Sequence, residues 1–197
     1  TQHVLEVSRA AAISDFWHIS TAYVSGLAKG VIPEQPSTAA HGFRNDYEAS
    51  KHEAETLVRA AGWLTRPTFM RPAVIVGHSQ SGATATYHGL MAMLQLMAVI
   101  VRSLPADDHG HRHVPLRLAM TGEERRNLVP VDWVAETMAT LLQRPESRGG
   151  IFHIAPDRPI TNREVIDYAS SYLGSGGVQF VGTAPPDDMS LLEEMVY

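Results

Sequence analysis

Segments patterned like strands alternate along this chain with segments patterned like helices, and that alternation restricts it to folds built on a mostly parallel sheet. The strand-like pieces are DFWHIST (15–21), TFMRPAVIVG (68–77), PLRLAM (115–120), NLVPV (127–131), IFHIAP (151–156) and VQFVG (178–182). They are β-branched, aromatic or alternating, and Gly, Pro or polar residues bound them. Pro72 predicts an irregularity in the middle of the second. Helical spacing covers residues 1–12, 45–62, Tyr87 to Arg102, WVAETMATLLQ, TNREVIDYASSYLG and a terminal segment from about Asp188. Start and stop signals agree: Asn45 with Glu48, Asp132 as an expected cap, Thr161 with Glu164 as a capping box, and Gly62 and Gly174 as stops.

Composition narrows the function. A chain of 197 residues buries enough surface to need no staple, and the absence of Cys excludes thiolate metal sites and thiol nucleophiles. A formal charge of −5 has the wrong sign for nucleic acid. The longest apolar run, Leu90 to Val101, is broken by Gln95 and falls short of the roughly 20 residues of a membrane span. The expected location is cytoplasmic. No initiator Met, cap or turn precedes Val4 and Leu5, so the chain is expected to start in mid-element.

One constellation is suited to proton chemistry. In NDYEASKHEAETLVRAAG, the residues Tyr47, Lys51, Ala54, Val58 and Ala61 share one helical face. A spacing of four sets the phenol beside the ammonium, where a cation favours the phenolate form. Ser20 and Thr21 end the strand before it and offer a hydroxyl to a substrate carbonyl. Alone, Tyr-x-x-x-Lys recurs by chance in surface helices.

Other motifs are weaker. VIVGHSQSG approaches the nucleophile elbow of an α/β-hydrolase, with Ser79, Asp132 and His153 in the right chain order, but Ser81 stands where the sharp turn needs Gly. His109, His111 and His113 alternate as metal ligands do, yet in a polar loop where solvated His is the commoner case, so no metal is expected. Met91, Met93 and Met97 suit either a core helix or a channel for a flexible acyl chain.

HISTAYVSG, NDYEASKHEAETLVR and FMRPAVIVG, in this order, resemble the extended short-chain dehydrogenase/reductases, in particular the thioester-reductase and fatty-acyl-reductase branch. VGHSQSGATATYHG, NLVPVDWVAE and FHIAPDRPIT extend the resemblance over nearly the whole chain. It implies the C-terminal part of a Rossmann-like, doubly wound parallel α/β sheet with a smaller substrate-binding lobe. Residues 1–76 and 127–155 would form the core, and 77–126 and 156–197 the lobe. It implies Thr21, Tyr47 and Lys51 as the catalytic triad, Lys51 also holding the nicotinamide ribose. Pro72, Ala73 and Val74 would lie against the nicotinamide, and Ala22, Tyr23, His78 and Ser79 against substrate; His78 replaces an acidic residue common in the branch. NADPH is the cofactor implied, NAD not being excluded, and the substrate is an acyl or peptidyl thioester on coenzyme A or a carrier protein's phosphopantetheine arm. A sugar-nucleotide epimerase or dehydratase, or a silent partner-binding module, are the alternatives. The family's Gly-rich strand-to-helix turn is not in this sequence, so the 197-residue chain is expected to bind dinucleotide weakly.

Overall fold

Short strands and longer helices follow one another, with four two-residue strands, at 112–113, 125–126, 160–161 and 175–176, that the patterning does not mark. The computed structural model describes residues 1–85, 87 and 89–197; Thr86 and His88, within VGHSQSGATATYHG, lie outside the described residues. The elements are α1 (Gln2–Ala10), β1 (Trp17–Ile19), α2 (Asp46–Ala60), β2 (Thr68–Pro72), β3 (Val74–Val76), α3 (Leu90–Ser103), β4 (Arg112–His113), β5 (Arg117–Leu118) and β6 (Arg125–Arg126). They continue with β7 (Leu128–Pro130), α4 (Val131–Gln143), β8 (Ile151–Ile154), β9 (Ile160–Thr161), α5 (Asn162–Leu173), β10 (Ser175–Gly176), β11 (Gln179–Phe180) and α6 (Leu191–Glu194). The chain divides into two compact units, Thr1–Gly82 with Leu128–Asp157, and Ala83–Asn127 with Arg158–Tyr197.

The first unit is built on a three-stranded parallel sheet in the order β1-β2-β8. Strand alternation sends Phe69 and Ile151 to one face, where they pack with Leu5 of α1 and with Val58, Ala61 and Leu64. Met70 and Ile154 point the other way, onto Val129 and, on α4, Val134, Met138 and Leu141. The apolar stripe of α2 is therefore spent on the sheet: Val58 is fully buried and Ala54 nearly so. Asn45 caps this helix, its Oδ1 accepting from the Glu48 N–H at 3.0 Å. The expected stop at Gly62 comes earlier, with Ala61 as C-cap. Pro72 ends β2, and beyond Ala73 the chain leaves the three-stranded sheet to pair in parallel with β7 as β3.

The second unit gathers Met97, Ile100 and Val101 of α3 against Val114, Leu116 and Leu118. β4 pairs with β10 and β5 with β11 in parallel, while β6 and β9 are antiparallel. α5 opens on the predicted Thr161/Glu164 capping box and closes on Gly174, whose φ of 60° is the left-handed conformation that favours glycine. The C-terminal residues clasp the outer edge of β5. Glu193 accepts from the Arg117 backbone N–H at 3.0 Å and from its guanidinium at 2.7 and 2.8 Å. The Tyr197 hydroxyl donates to the Arg117 carbonyl at 2.8 Å and accepts from the Ala119 N–H. Side chains thus satisfy an edge that a further strand normally occupies. No helix among the described residues is long and apolar enough to cross a membrane.

Candidate functional site

β1 stops at Ile19, and Thr21 turns the chain into a 3₁₀ turn, Ala22–Ser25. Thr21 is buried, its Oγ1 accepting from the Tyr23 N–H at 3.3 Å and donating to the Pro72 carbonyl at 3.5 Å. α2 packs against this turn. Tyr47 lies in the first turn of α2 and is 54% exposed; Lys51 follows one turn later with its Nζ 6.0 Å from the centre of the Tyr47 ring. Ala22 and Tyr23 open the 3₁₀ turn beside Thr21. Pro72 to Val74 form the step between β2 and β3, where buried Ala73 donates its N–H to the Ile154 carbonyl at 2.9 Å. The expected hydroxyl, phenol, ammonium and backbone step thus all belong to the first unit, on adjoining elements. An ammonium beside a phenol on α2, the helix that packs against the Thr21 turn, is a donor set that fits the nicotinamide end of a dinucleotide.

Under this helix lies a charged cluster that motif reading passed over. Arg71 of β2, 1% exposed, donates from Nε and Nη2 to the two carboxylate oxygens of Glu55 on α2, each at 2.8 Å. Its Nη1 reaches the Gln35 carbonyl at 3.0 Å and the His153 Nε2 at 3.3 Å. Burial works to raise the Glu55 pKa, but hydrogen bonds and charge from Arg71, with help from Arg59, hold it down at about 2. Burial and then the Arg71 charge lower the His153 pKa. Burial also lowers that of His18, on β1. Since a guanidinium only donates, the His153 Nε2 is an acceptor and the ring is neutral. The available signal was Glu55 itself, which continues the Tyr47/Lys51 spacing by another four residues, opposite an arginine set in an apolar strand.

After β3, the loop holding His78 and Ser79 is fastened to α4. Asp132 is not the N-cap expected of it: α4 begins two residues earlier than expected, at Val131 after Pro130, and Asp132 falls in its first turn. Its carboxylate accepts from the Ser79 N–H at 2.9 Å and the Ser79 hydroxyl at 2.6 Å, and these bonds lower its pKa. His78 accepts on Nδ1 from the Gln80 and Ser81 N–H groups and holds Nε2 4.0 Å from Asp132. Ser79, Gln80, Pro130, Asp132, Trp133 and Pro156 border a cleft of ≈ 440 Å³. The hydrolase order Ser79, Asp132, His153 is not assembled as a relay. Ser79 donates straight to the carboxylate, while His153 faces Arg71.

Asp107 accepts from the backbone N–H groups of His109 and His111, each at 2.9 Å, shaping their loop. No group of three or more metal-binding side chains occurs among the described residues. Of the three methionines, Met97 is core and Met93 is 57% exposed.

The sequence matches the family model described as male sterility protein, an NAD-binding family, over residues 1–138. No curated protein matches it. Among solved structures, the chain is similar to the terminal R domain from the myxalamid PKS-NRPS biosynthetic pathway. Identity is 24% and the TM-score 0.71, covering 91% of this chain and 42% of that one. It is also similar to UDP-glucuronic acid 4-epimerase from Bacillus cereus in complex with NAD (19%, TM-score 0.67, 92% and 54%). A third is dTDP-glucose 4,6-dehydratase from Bacillus anthracis str. Ames in complex with NAD (18%, TM-score 0.65, 91% and 53%). The chain spans about half the length of these structures, and at such identities they establish a shared Rossmann-like α/β fold. With its family match covering well over half of its residues, the chain belongs to the male sterility protein family of extended short-chain dehydrogenases/reductases.

Proposed function

We propose that this chain is the catalytic part of an NADPH-dependent reductase that converts acyl thioesters on coenzyme A or a carrier protein's phosphopantetheine arm to aldehydes. The observation that carries the reading is the grouping of Thr21, Tyr47 and Lys51 on adjoining elements of the first unit. In this reading the first unit is the C-terminal part of the Rossmann-like core and the second is the substrate lobe. The likeness to a terminal R domain supports the choice of a thioester, and the family supports a nicotinamide dinucleotide.

The bound cofactor supplies hydride to the thioester carbonyl carbon. Lys51 holds the cofactor's ribose, and Pro72 to Val74 present backbone to its nicotinamide. The Thr21 hydroxyl donates a hydrogen bond to the carbonyl oxygen as negative charge develops there. Tyr47 gives that oxygen its proton. The resulting hemithioacetal loses its C–S bond, its hydroxyl proton passes to the departing sulfur, and aldehyde and thiol are released. Ala22, Tyr23, His78 and Ser79 contact the acyl group.

The test is anaerobic incubation of the protein with an acyl thioester and NADPH at roughly millimolar concentration, as the weak dinucleotide binding expected of this chain requires. Trapped aldehyde and released thiol should appear in equal amounts, and Tyr47→Phe should slow the formation of both at least about a hundredfold. Conversion of a UDP-sugar with no consumption of thioester would replace this reading with the epimerase or dehydratase one.

A further inference from the structure

Between the first 3₁₀ turn and α2, the loop of residues 26–45, with a second 3₁₀ turn at Ala39–His41, borders an open cavity of ≈ 270 Å³ in the first unit, lined in part by Val31, Ile32 and Pro33. The residues around the cavity include Lys29, His41, buried Arg71 and the hydroxyl residues Ser25, Ser37 and Thr38; no carboxylate is among the described residues lining it. The loop is fixed at several points. Arg71 holds the Gln35 carbonyl at 3.0 Å, the Ser37 hydroxyl donates to the Val24 carbonyl at 2.7 Å, and the Leu27 N–H donates to the Gly42 carbonyl at 3.1 Å. Glu34, the acidic residue of this loop, accepts from the His153 backbone N–H on β8 at 2.6 Å.

The donors divide into used and unused. Arg71 is matched in charge by Glu55, and the hydroxyl protons of Ser25 and Ser37 go to backbone carbonyls. The side chains of Lys29, His41 and Thr38, all three exposed, have no hydrogen bond or ion pair with the described residues. A point cation, an imidazole and a hydroxyl therefore border one open cavity, with a buried guanidinium holding its wall. Such a set offers donors from several directions, which suits an anion with several acceptor oxygens better than a planar carboxylate.

We propose that this cavity binds the phosphate group of a phosphate ester, held by Lys29, His41 and Thr38, and that the ester is the phosphopantetheine arm of the thioester substrate. The choice of arm rests on the reductase reading; the phosphate site does not. The dinucleotide cofactor is the other source of the same chemistry, and the test separates the two.

The experiment follows backbone amide resonances of the whole chain during titration with 4′-phosphopantetheine, pantetheine without phosphate, inorganic phosphate and NADPH. Phosphopantetheine should move the amides of Lys29, Thr38 and His41 saturably, inorganic phosphate should move the same set more weakly, and pantetheine should leave them in place. Lys29→Ala and His41→Ala should each weaken binding about tenfold, the factor that loss of one charge-assisted hydrogen bond carries, with unchanged thermal unfolding. Tighter saturation of these amides by NADPH than by phosphopantetheine keeps the phosphate site and overturns the arm. Equal binding of pantetheine with and without phosphate, or full affinity in both variants, overturns the site itself. None of these readings requires turnover, so failure of the reductase reading registers separately, in the thioester assay.

Discussion

Arg71 and Glu55 meet through two parallel hydrogen bonds of 2.8 Å, one from Nε and one from Nη2, in a place where the arginine is 1% exposed. The pair joins the central strand of the sheet to the helix that carries Tyr47 and Lys51. Removing one partner strands a charge in the interior, which typically costs about 3–5 kcal/mol, whereas replacing both with apolar residues of similar volume is often tolerated. Arg71→Met should therefore destabilise the first unit severely, and Glu55→Leu combined with it should restore most of the loss. Thermal unfolding followed by near-ultraviolet circular dichroism measures both. The pH dependence has a definite sign. Glu55 is held at about 2 against a usual 4.5, so its contribution is complete above about pH 4.5 and is lost as the pH falls through about 2.

Tyr47 and Lys51 are separable by kinetics. On the proposed mechanism Tyr47→Phe removes only proton donation, so turnover should fall by roughly 10²- to 10⁴-fold with cofactor affinity nearly unchanged. Lys51→Ala should weaken cofactor binding as well. Single-turnover NADPH oxidation, with dissociation constants from fluorescence titration, distinguishes them. A Tyr47→Phe variant with most of the original rate removes this residue from the chemistry.

Asp132→Asn should free the loop after β3 while leaving the fold intact. The carboxylate takes both hydrogen bonds that Ser79 offers it, and the amide replacement keeps one acceptor oxygen only. Hydrogen exchange at the Ser79 amide should accelerate in the variant. In the unmodified protein, protection should persist into more acidic solution than an ordinary aspartate permits, because the folded-state pKa is depressed. The same arrangement leaves Ser79 without an imidazole base, so a serine-directed phosphonate should form no adduct there. Mass spectrometry of the treated protein settles the point.

Deleting residues 188–197 should expose the edge of β5 that Glu193 and Tyr197 now cover. The deletion also takes Leu192 and Val196 away from the second unit's core. A lower unfolding temperature and concentration-dependent self-association, read by light scattering, are the expected results. Glu193→Gln alone should lower stability without adding self-association, because Tyr197 still covers part of the edge.

The fold was legible where local signals and burial agreed. The α5 capping box, the Asn45 cap and the stripe ending in Val58 and Ala61 are set by neighbours in sequence, and all are present. Long-range pairing left weaker traces. Nothing in NLVPVDW says that Asp132 will bind Ser79, 53 residues away, instead of capping its own helix. Nothing in TFMRPAV says that the chain changes sheets at Ala73. The Tyr47 and Lys51 spacing was readable because a helix makes such neighbours by itself. Their relation to Thr21 depends on how α2 settles against the turn, which no local pattern dictates.

The first unit is discontinuous in sequence, and this governs how the chain folds as it is synthesised. Gly149 donates its N–H to the hydroxyl of Thr68, 81 positions earlier in the chain, and β8 completes the sheet next to β2. During translation β2 therefore emerges long before its second partner exists, and the whole first segment of the second unit is made in between. An apolar parallel strand then waits with an open edge, the situation that slows folding and recruits unwanted partners. Ribosome stalling between positions 90 and 150 should accordingly leave nascent chains dependent on chaperones, and release should come only once Ile151 to Ile154 have cleared the exit tunnel.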